Sequence, residues 1–369
     1  MKYVKELDSF RTFAVLTVII GHWVTFPAGS FITYIPLGAV GVTMFFVLSG
    51  FLITTILLSA REKIFEGKTS IGKALKTFYI RRTLRIFPVY YLFLLLLICF
   101  FPRVFHLYPG SVYWCIFYIS NIYTYLHQHF IGYIAHIWSL AVEEQFYLIW
   151  PAVILFTPKK NLFAVISVFI VGAVMIKLGY EVLKPEESAT GLYLVLTPTC
   201  FDAFGIGGLL ALFKFEGIYY TTFGKWMKRL TLLALPLFVL SCANGIISNV
   251  ILRLSISIPS AWLIFVLLEG NSGVVTSLFS NRALVYLGKI SYGLYLWLLP
   301  IPYIYPILSA FLAKNGLLIP FTKYSLLPFV GGSKQACIYF VFLVTIASAS
   351  WFLFEKPIND LKERFNYKN

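Results

Sequence analysis

The stretch HIWSLAVEEQFYLIWP, residues 136–151, places two adjacent carboxylates, Glu143 and Glu144, in the middle of an apolar segment. The segment contains no residue that would stop a helix before its closing proline. Burying a carboxylate in apolar surroundings is costly unless the group is paired with a cation or protonated. A run of this kind is typical of a membrane-spanning helix that carries a functional polar group.

The whole chain has the composition of a membrane protein. Of its 369 residues, 59% are hydrophobic and 12% are charged, whereas a soluble globular chain carries about 25% charged residues. The mean hydropathy is +0.83. Apolar runs long enough for a helical span recur along the chain, without the alternation of β-barrel strands. The sequence therefore predicts an all-α, polytopic membrane helical bundle, formed as a single domain over residues 1–369.

Ten spans account for the apolar runs, and the charges that flank them indicate the orientation. The predicted spans are 10–28, 38–58, 84–101, 137–157, 162–180, 194–213, 229–245, 255–269, 283–311 and 335–354. With the N-terminus inside, the inner segments hold 19 lysines and arginines and the outer segments hold 6. Basic residues concentrate on the cytoplasmic side, so both termini are expected there. The aromatic stretch 112–126 is expected to lie at the membrane interface.

The net charge of +15 is explained by this flanking pattern, so no nucleic-acid partner is expected. The five cysteines are scattered and form no CxxC or Cys/His cluster, which indicates neither a metal site nor a disulfide framework. The N-terminal segment carries Glu6 and Asp8 and lacks a small-residue cleavage site. It is therefore predicted to be an uncleaved first span rather than a signal peptide.

Ionisable side chains inside spans are rare and mark functional sites by default. The candidates are His22, Glu143, Glu144, Lys177, Asp202, Glu269 and Lys289. Lys177, Glu269 and Lys289 lie toward span ends, where a long side chain can reach the membrane surface. His22, the glutamate pair and Asp202 remain, although a structural histidine and a structural ion pair are the alternatives for them.

The first span predicts a polar face with a cation at one end and a base at the other. Arg11 and His22 are eleven residues apart, which is about three helical turns and about 16 Å along the axis. Both side chains therefore share one face. Asp8 lies three residues before Arg11 and can pair with it on that face.

Further polar groups lie at helical spacing in other spans. Arg82 and Arg85 are three residues apart, and two guanidinium groups on one face suit a phosphate, although flanking charge is the simpler explanation. Glu143 and Glu144 point about 100° apart, so they face different partners. Ser49, in VTMFFVLSGFLIT, and Tyr292, in GKISYGLYLW, add small or polar groups that a ligand can approach.

Together these segments resemble the acyltransferase 3 family of integral-membrane O-acyltransferases. The resemblance covers nearly the whole chain, with the pieces in the family's order: LDSFRTFAVLTVIIGHW, GVTMFFVLSGFLIT, RRTLRIFPVYYL, HIWSLAVEEQFYLIWP, FDAFGIGGLLA, LGKISYGLYLW and FEKP. An arginine followed by ten residues and a histidine, an RxxR pair and a WSLxxEEQFY helix are hallmarks of that family. Many members carry an acid at the position of Thr43 and an arginine at that of Cys200, which leaves the role of the sixth span open.

The resemblance implies transfer of an acyl group, usually acetyl, from cytoplasmic acyl-CoA to a glycan hydroxyl on or beyond the outer face. His22 would be the catalytic base or a transient acyl carrier, and no metal would be needed. The expected catalytic residues are His22, Glu143, Glu144 and Asp8, the glutamates orienting or compensating the histidine. The residues expected to bind acyl-CoA are Arg11, Arg82, Arg85, Ser49 and Tyr292.

The resemblance also implies a multi-pass protein of a bacterial inner membrane, surrounded by lipid. Its acceptor would be a glycan or lipid-linked glycan, and lipopolysaccharide, capsule, exopolysaccharide and peptidoglycan all remain open. Some members carry a fused esterase-like domain, and this chain is expected to be a stand-alone member that relies on a separate periplasmic partner for such an activity. A transporter or flippase for a polysaccharide precursor and a non-enzymatic scaffold are the alternatives.

Overall fold

The computed structural model describes residues 3–27, 29–102, 108, 110–217, 219–243, 245–270, 273–314 and 333–364. Within these ranges the chain is helical almost throughout and contains no β-strand. The predicted all-α class is therefore confirmed.

Seventeen α-helices occur in the described ranges, numbered here in chain order. The first nine are α1 (Glu6–Trp23), α2 (Leu37–Phe65), α3 (Ile71–Phe100), α4 (Ser111–Ile116), α5 (Ser120–His127), α6 (Trp138–Phe156), α7 (Leu162–Leu183), α8 (Pro185–Thr190) and α9 (Thr197–Glu216). The others are α10 (Tyr220–Ala243), α11 (Gly245–Glu269), α12 (Val274–Phe279), α13 (Arg282–Lys289), α14 (Ser291–Trp297), α15 (Ile301–Lys314), α16 (Ser333–Ser350) and α17 (Lys356–Asp360). Short 3-10 helices cover Phe31–Tyr34, Gly132–Ile137, Lys159–Asn161, Leu192–Val195 and Leu361–Arg364, and a π-helical turn covers Trp351–Glu355.

In the described ranges, eight helical segments are long and apolar enough to cross a membrane. They contain α2, α3, α6, α7, α9, α10, α11 and α16. The bent pair α14 and α15 forms a ninth, and α1 corresponds to the first predicted span. Nine of the ten predicted spans thus have counterparts that meet these criteria in the described ranges, α1 is not among the nine, and the chain is a multi-pass membrane protein. The aromatic stretch 112–126 folds into the short helices α4 and α5 instead of a span.

The predicted continuous span over 283–311 is wrong, because the structure divides it into α13, α14 and α15. The axes of α14 and the segment Ile301–Ala310 differ by 73°. Pro300 and Pro302 lie at the break. A proline has no backbone N–H and cannot continue the hydrogen-bond ladder of a helix, which accounts for the bend.

The expectation that Lys177 reaches the membrane surface is also wrong. Its side chain is fully buried between α7 and α9, and Nζ lies 2.5 Å from Oδ2 of Asp202. The guanidinium of Arg253, from α11, lies 4.0 Å from the other carboxylate oxygen. Sequence position alone suggested that Lys177 could extend outward, whereas the acidic partner on a packed neighbour holds it inside.

Helix α2 lies at the centre of the bundle and packs most extensively against α9, with further contacts to α1, α6 and α11. Two glycines allow the close crossing of α2 and α9. A Cβ atom on Gly50 would overlap the backbone oxygen of Phe204, and one on Gly207 would overlap the backbone oxygen of Val47. Small residues of this kind let helix backbones approach closely inside a membrane.

Gly207→Ala is expected to destabilise the protein by about 1–3 kcal/mol, since the added methyl group forces α2 and α9 apart. Gly172→Ala, on α7, is the matched control because no atom lies within 4 Å of the added Cβ. Heating the purified variants in detergent and measuring the remaining monodisperse protein tests this. Equal midpoints for the two variants would contradict the close packing of α2 on α9.

Candidate functional site

A cleft of about 860 Å³ opens between α1, α2, α3, α6 and α14. It gathers polar side chains from segments that are far apart in the sequence. Seven of the nine predicted site residues line it: Arg11, Ser49, Arg82, Arg85, Glu143, Glu144 and Tyr292. The motifs singled out by the sequence therefore converge on one cavity.

Glu143 is held by hydroxyl groups on two helices. The Ser49 hydroxyl of α2 donates to Oε1 of Glu143 at 2.8 Å, and the Tyr147 hydroxyl lies 3.4 Å from Oε2. Tyr147 follows Glu143 by four residues, so the two share one face of α6. Ser49 also lies 3.4 Å from the Tyr147 hydroxyl. This network fixes the Glu143 carboxylate toward the cleft.

Two arginines of α3, Arg82 and Arg85, line the cleft near the glutamates of α6. The Arg82 guanidinium lies over the Tyr147 ring at 5.7 Å, which brings it beside α6. Arg82 acts electrostatically on both glutamates, and Arg85 acts on Glu143. Positive and negative groups thus share one cleft, where they are screened less than in water.

Asp8 and Arg11 form an ion pair at the same end of the molecule. Arg11 NH1 lies 2.5 Å from Oδ1 of Asp8, as the three-residue spacing predicts. The Tyr3 hydroxyl donates a hydrogen bond to the other carboxylate oxygen. Asp8 does not line the cleft itself, and its pairing orients the Arg11 side chain that does.

Lys362 adds a cation that sequence analysis missed. It follows the last membrane-spanning segment, and its ammonium donates to the Asn359 side chain at 2.9 Å. Burial, together with the nearby charges of Arg85, Arg82 and Arg81, lowers the pKa of Lys362 to about 8. A lysine in the C-terminal segment carries no sequence signal that links it to the RxxR pair.

Glu355 is a second residue without an assigned role in the sequence. It lies in the FEKP segment, at the end of the π-helical turn, and only 3% of its surface is exposed. Its Oε1 accepts a hydrogen bond from Ser350 at 2.9 Å, and its charge acts on Arg85 and Tyr292. π-helical turns are frequent at functional sites, which suits a carboxylate behind the cleft.

His22 lies outside the cleft, in the last turn of α1. That helix ends at Trp23, earlier than the predicted bound of 28. The His22 ring is exposed on the protein surface, and its Nδ1 lies 2.8 Å from the Val18 backbone oxygen. A carbonyl only accepts hydrogen bonds, so the ring proton is on Nδ1 and the lone pair is on Nε2. The basic nitrogen of His22 is therefore Nε2, at the far end of the helix that carries Arg11.

Two buried hydroxyl groups on the cleft wall bind the backbone of His136. Ser139 Oγ and the Tyr295 hydroxyl, both on the cleft wall, are 2.6 Å apart. One of them donates to the other, and the backbone oxygen of His136, 3.1 Å from both, accepts from the remaining hydroxyl. These bonds tie the cleft wall to the 3-10 helix Gly132–Ile137, which precedes α6. Sequence analysis assigned no role to His136.

A second cavity of about 550 Å³ lies beyond Val42, a residue that lines both cavities. Its walls come from α2, the beginning of α6, the 192–195 turn and α11. Trp138, Asn249 and Arg253 supply its largest polar and aromatic side chains. Two cavities therefore meet at one position of the central helix α2.

Over the described residues, no group of three or more histidine, cysteine and acidic side chains is arranged to hold a metal ion. The chemistry that this geometry supports is positional and electrostatic. The arginines in the cleft suit an anion. The Nε2 atom of His22, at the far end of α1, suits proton transfer or attack on a carbonyl.

Comparison with known proteins gives a family match over most of the chain. The model of a family described as "Acyltransferase domain" matches residues 4–355. No solved structure gives a significant match.

Curated relatives match at about 30% identity. Peptidoglycan O-acetyltransferase OatA of Listeria monocytogenes is 30% identical over 336 residues, which cover 81% of this chain and 49% of OatA. YrhL of Bacillus subtilis, named as a provisional peptidoglycan O-acetyltransferase, is 31% identical over 342 residues, with 81% of this chain and 49% of YrhL covered. The chain thus spans about half the length of these relatives.

Proposed function

The chain belongs to the acyltransferase domain family, and from this premise we propose that it is a membrane O-acetyltransferase. The donor is cytoplasmic acetyl-CoA, and the acceptor is a hydroxyl group of an envelope or exported glycan. The observation that carries the proposal is the cleft, in which Arg11, Arg82 and Arg85 converge from two helices on one cavity. The names of the relatives make peptidoglycan the first acceptor to test.

The arginines suit the phosphates of the donor. Guanidinium groups bind phosphate through paired, charge-assisted hydrogen bonds. Arg82 and Arg85 lie one turn apart on α3, and the basic flanking pattern predicts that this end of α3 faces the cytoplasm. The pantetheine arm would then run along the cleft past Arg11, in the direction of His22, about 16 Å further along α1.

His22 supplies the reactive nitrogen. Its Nδ1–H is bound to Val18, which leaves the Nε2 lone pair for the reaction. In direct transfer, Nε2 takes the proton of the acceptor hydroxyl while the hydroxyl oxygen attacks the thioester carbonyl. The CoA thiolate leaves and takes up that proton. In two-step transfer, Nε2 attacks the thioester carbonyl, the C–S bond breaks, and the CoA thiolate leaves an acyl-imidazolium on His22. The acceptor hydroxyl then attacks this acyl group, the C–N bond breaks to restore neutral His22, and the hydroxyl proton passes to the thiolate.

The glutamates and Asp8 serve the donor end in this proposal. Glu143 and Glu144 face Arg82 and Arg85, so they hold the guanidinium groups in place before the donor binds. Asp8 does the same for Arg11. Ser49 orients Glu143 through a hydrogen bond, and Tyr292, whose hydroxyl donates to the Ile86 backbone oxygen at 3.3 Å, shapes the cleft wall.

The acceptor would approach from the side of the membrane opposite to the donor. His22 is exposed at the end of α1, and the second cavity lies beyond Val42 near the start of α2. We place the protein in a bacterial inner membrane, with both termini in the cytoplasm and the acceptor on the outer side.

The direct test uses the purified protein in liposomes with radiolabelled acetyl-CoA and peptidoglycan fragments. The proposal predicts base-labile acetate on the fragments and an equal amount of free CoA, whether or not an ionophore collapses the ion gradients. Gradient-dependent movement of the glycan without acetyl transfer would favour a transporter and contradict the proposal.

The lowered pKa of Lys362 predicts a pH dependence of donor use. Below about pH 8 the ammonium is charged and attracts the donor phosphates, and above it the charge is lost. We expect kcat/KM for acetyl-CoA to fall as the pH rises through about 8, and Lys362→Met to remove this step. The exposed Lys225→Met is the control. If kcat/KM of Lys362→Met falls above about pH 8 as it does in wild type, Lys362 does not take part in donor binding.

A further inference from the structure

The break between α14 and α15 leaves two backbone carbonyls without helical partners. In a continuous helix, residue 300 would donate its N–H to Leu296, and residue 302 would donate to Leu298. Both positions are prolines, which have no N–H to donate. Buried carbonyls of this kind need another donor.

Two side chains supply these donors. His136 Nε2 lies 3.0 Å from the Leu296 oxygen, and Trp23 Nε1 donates to the Leu298 oxygen at 2.9 Å. The accepting carbonyls are two residues apart on one turn. The break therefore draws His136 and the end of α1, with His22 next to Trp23, to the same place.

This arrangement fixes the proton of His136. Since the Leu296 carbonyl only accepts, the ring proton is on Nε2 and the lone pair is on Nδ1. Only 3% of the His136 surface is exposed, and Nδ1 has no hydrogen-bond partner among the described residues. A buried acceptor without a donor is unfavourable, so a donor from outside the chain would be favourable there.

The His22 ring is in the opposite tautomer to that of His136. Its proton is on Nδ1, bound to Val18, and its lone pair is on Nε2. Trp23, the residue after His22, and His136 bind carbonyls that are two residues apart, which brings the end of α1 to the same break as His136. The site thus offers two imidazole lone pairs, and the buried one on His136 has no donor among the described residues.

We propose that His136 binds the acceptor: its Nδ1 accepts a hydrogen bond from a second donor group, next to the hydroxyl that His22 deprotonates. This inference rests on the proposed function. The matching chemistry is a sugar in which the reacting hydroxyl has a neighbouring hydroxyl or amide N–H. His22 would act on the reacting group, and His136 would select acceptors that carry the second one.

Two substitutions distinguish acceptor binding by His136 from its hydrogen bond to the Leu296 carbonyl at the helix break. Glutamine places its amide nitrogen near Nε2, so His136→Gln keeps the bond to Leu296 and loses the acceptor at Nδ1. Asparagine places its amide oxygen near Nδ1, so His136→Asn keeps the acceptor and loses the bond to Leu296. His127→Gln, on α5, is the control for the change of residue type.

The assay uses the full-length protein in liposomes with acetyl-CoA. The acceptors are the methyl glycosides of N-acetylglucosamine and N-acetylmuramic acid, their monodeoxy analogues, and peptidoglycan fragments. For wild type, removing one non-reacting donor group is expected to lower kcat/KM about tenfold, the size of one lost hydrogen bond. His136→Gln is expected to raise the KM for the acceptor about tenfold and to leave the KM for acetyl-CoA unchanged. It is also expected to acetylate the deoxy analogue that lacks this donor group as efficiently as the parent sugar. His136→Asn should keep the discrimination.

Two outcomes overturn the inference. If His136→Gln discriminates among the analogues as wild type does, or if only His136→Asn loses discrimination, His136 supports the helix break alone. If wild type acetylates none of the acceptors, the proposed function fails and the inference falls with it. The first outcome leaves the acetyltransferase intact, so the two failures are distinguishable.

Discussion

Replacing His22 with asparagine is expected to lower acetyl transfer by about 10²–10⁴-fold, the usual contribution of a general base. Asparagine can still donate its amide N–H to the Val18 carbonyl, so α1 keeps the hydrogen bond that holds the histidine. It lacks a basic nitrogen in place of Nε2. His22→Ala removes both features and is expected to lose as much activity. The measurement is the rate of base-labile acetate formation in liposomes.

The comparison of these variants separates chemistry from structure. If His22→Asn retains most of the activity and His22→Ala does not, the ring serves only to bind Val18. Acid quenching with labelled acetyl-CoA and no acceptor distinguishes the two routes. A covalent label on wild type that is absent from His22→Asn indicates an acyl-imidazole, and no label with full turnover indicates direct transfer.

Removing the acidic partner of Lys177 has the largest expected effect on stability. Asp202→Leu leaves a fully buried ammonium without its counterion, and breaking a buried pair in this way costs about 3–5 kcal/mol. We expect Asp202→Leu to lose most of its folded protein on mild heating in detergent. Arg253 remains bound to the Thr199 and Leu194 backbone oxygens, at 2.6 and 3.0 Å, so its own burial is compensated.

The double variant Lys177→Met/Asp202→Leu tests the cause. With both charges removed, stability is expected to return to within about 1 kcal/mol of wild type or above it, because apolar replacements of buried pairs are often neutral or stabilising. Acetyl transfer should return with the fold. A double variant as unstable as Asp202→Leu would show that the packing volume of Asp202, and not its charge, holds α7 to α9.

The apolar runs and the HIWSLAVEEQFYLIWP stretch predict the bundle because a bilayer leaves helices as the natural way to bury backbone polar groups. The contents of the cleft were also predictable. Arg11, Arg82, Glu143 and Glu144 are charged residues within or beside spans, where charge is rare. Their convergence on one cavity follows from the cost of burying each of them alone.

The remaining features depend on contacts between distant residues. A proline in a span does not show which side chain will satisfy the carbonyl that it leaves, so the roles of Trp23 and His136 were not visible. Lys177 lies near a span end and could as well have reached the surface. Lys362 joins the arginines only because the C-terminal segment packs on α3.

The central claim, acetyl transfer through His22, is tested most directly by base-labile acetate on purified envelope glycans. Three strains are compared: one without the gene, one with the wild-type protein and one with His22→Ala at matched expression. The account predicts that acetate returns with wild type and stays at the level of the deletion strain with His22→Ala. Equal acetate in the wild-type and His22→Ala strains would contradict it.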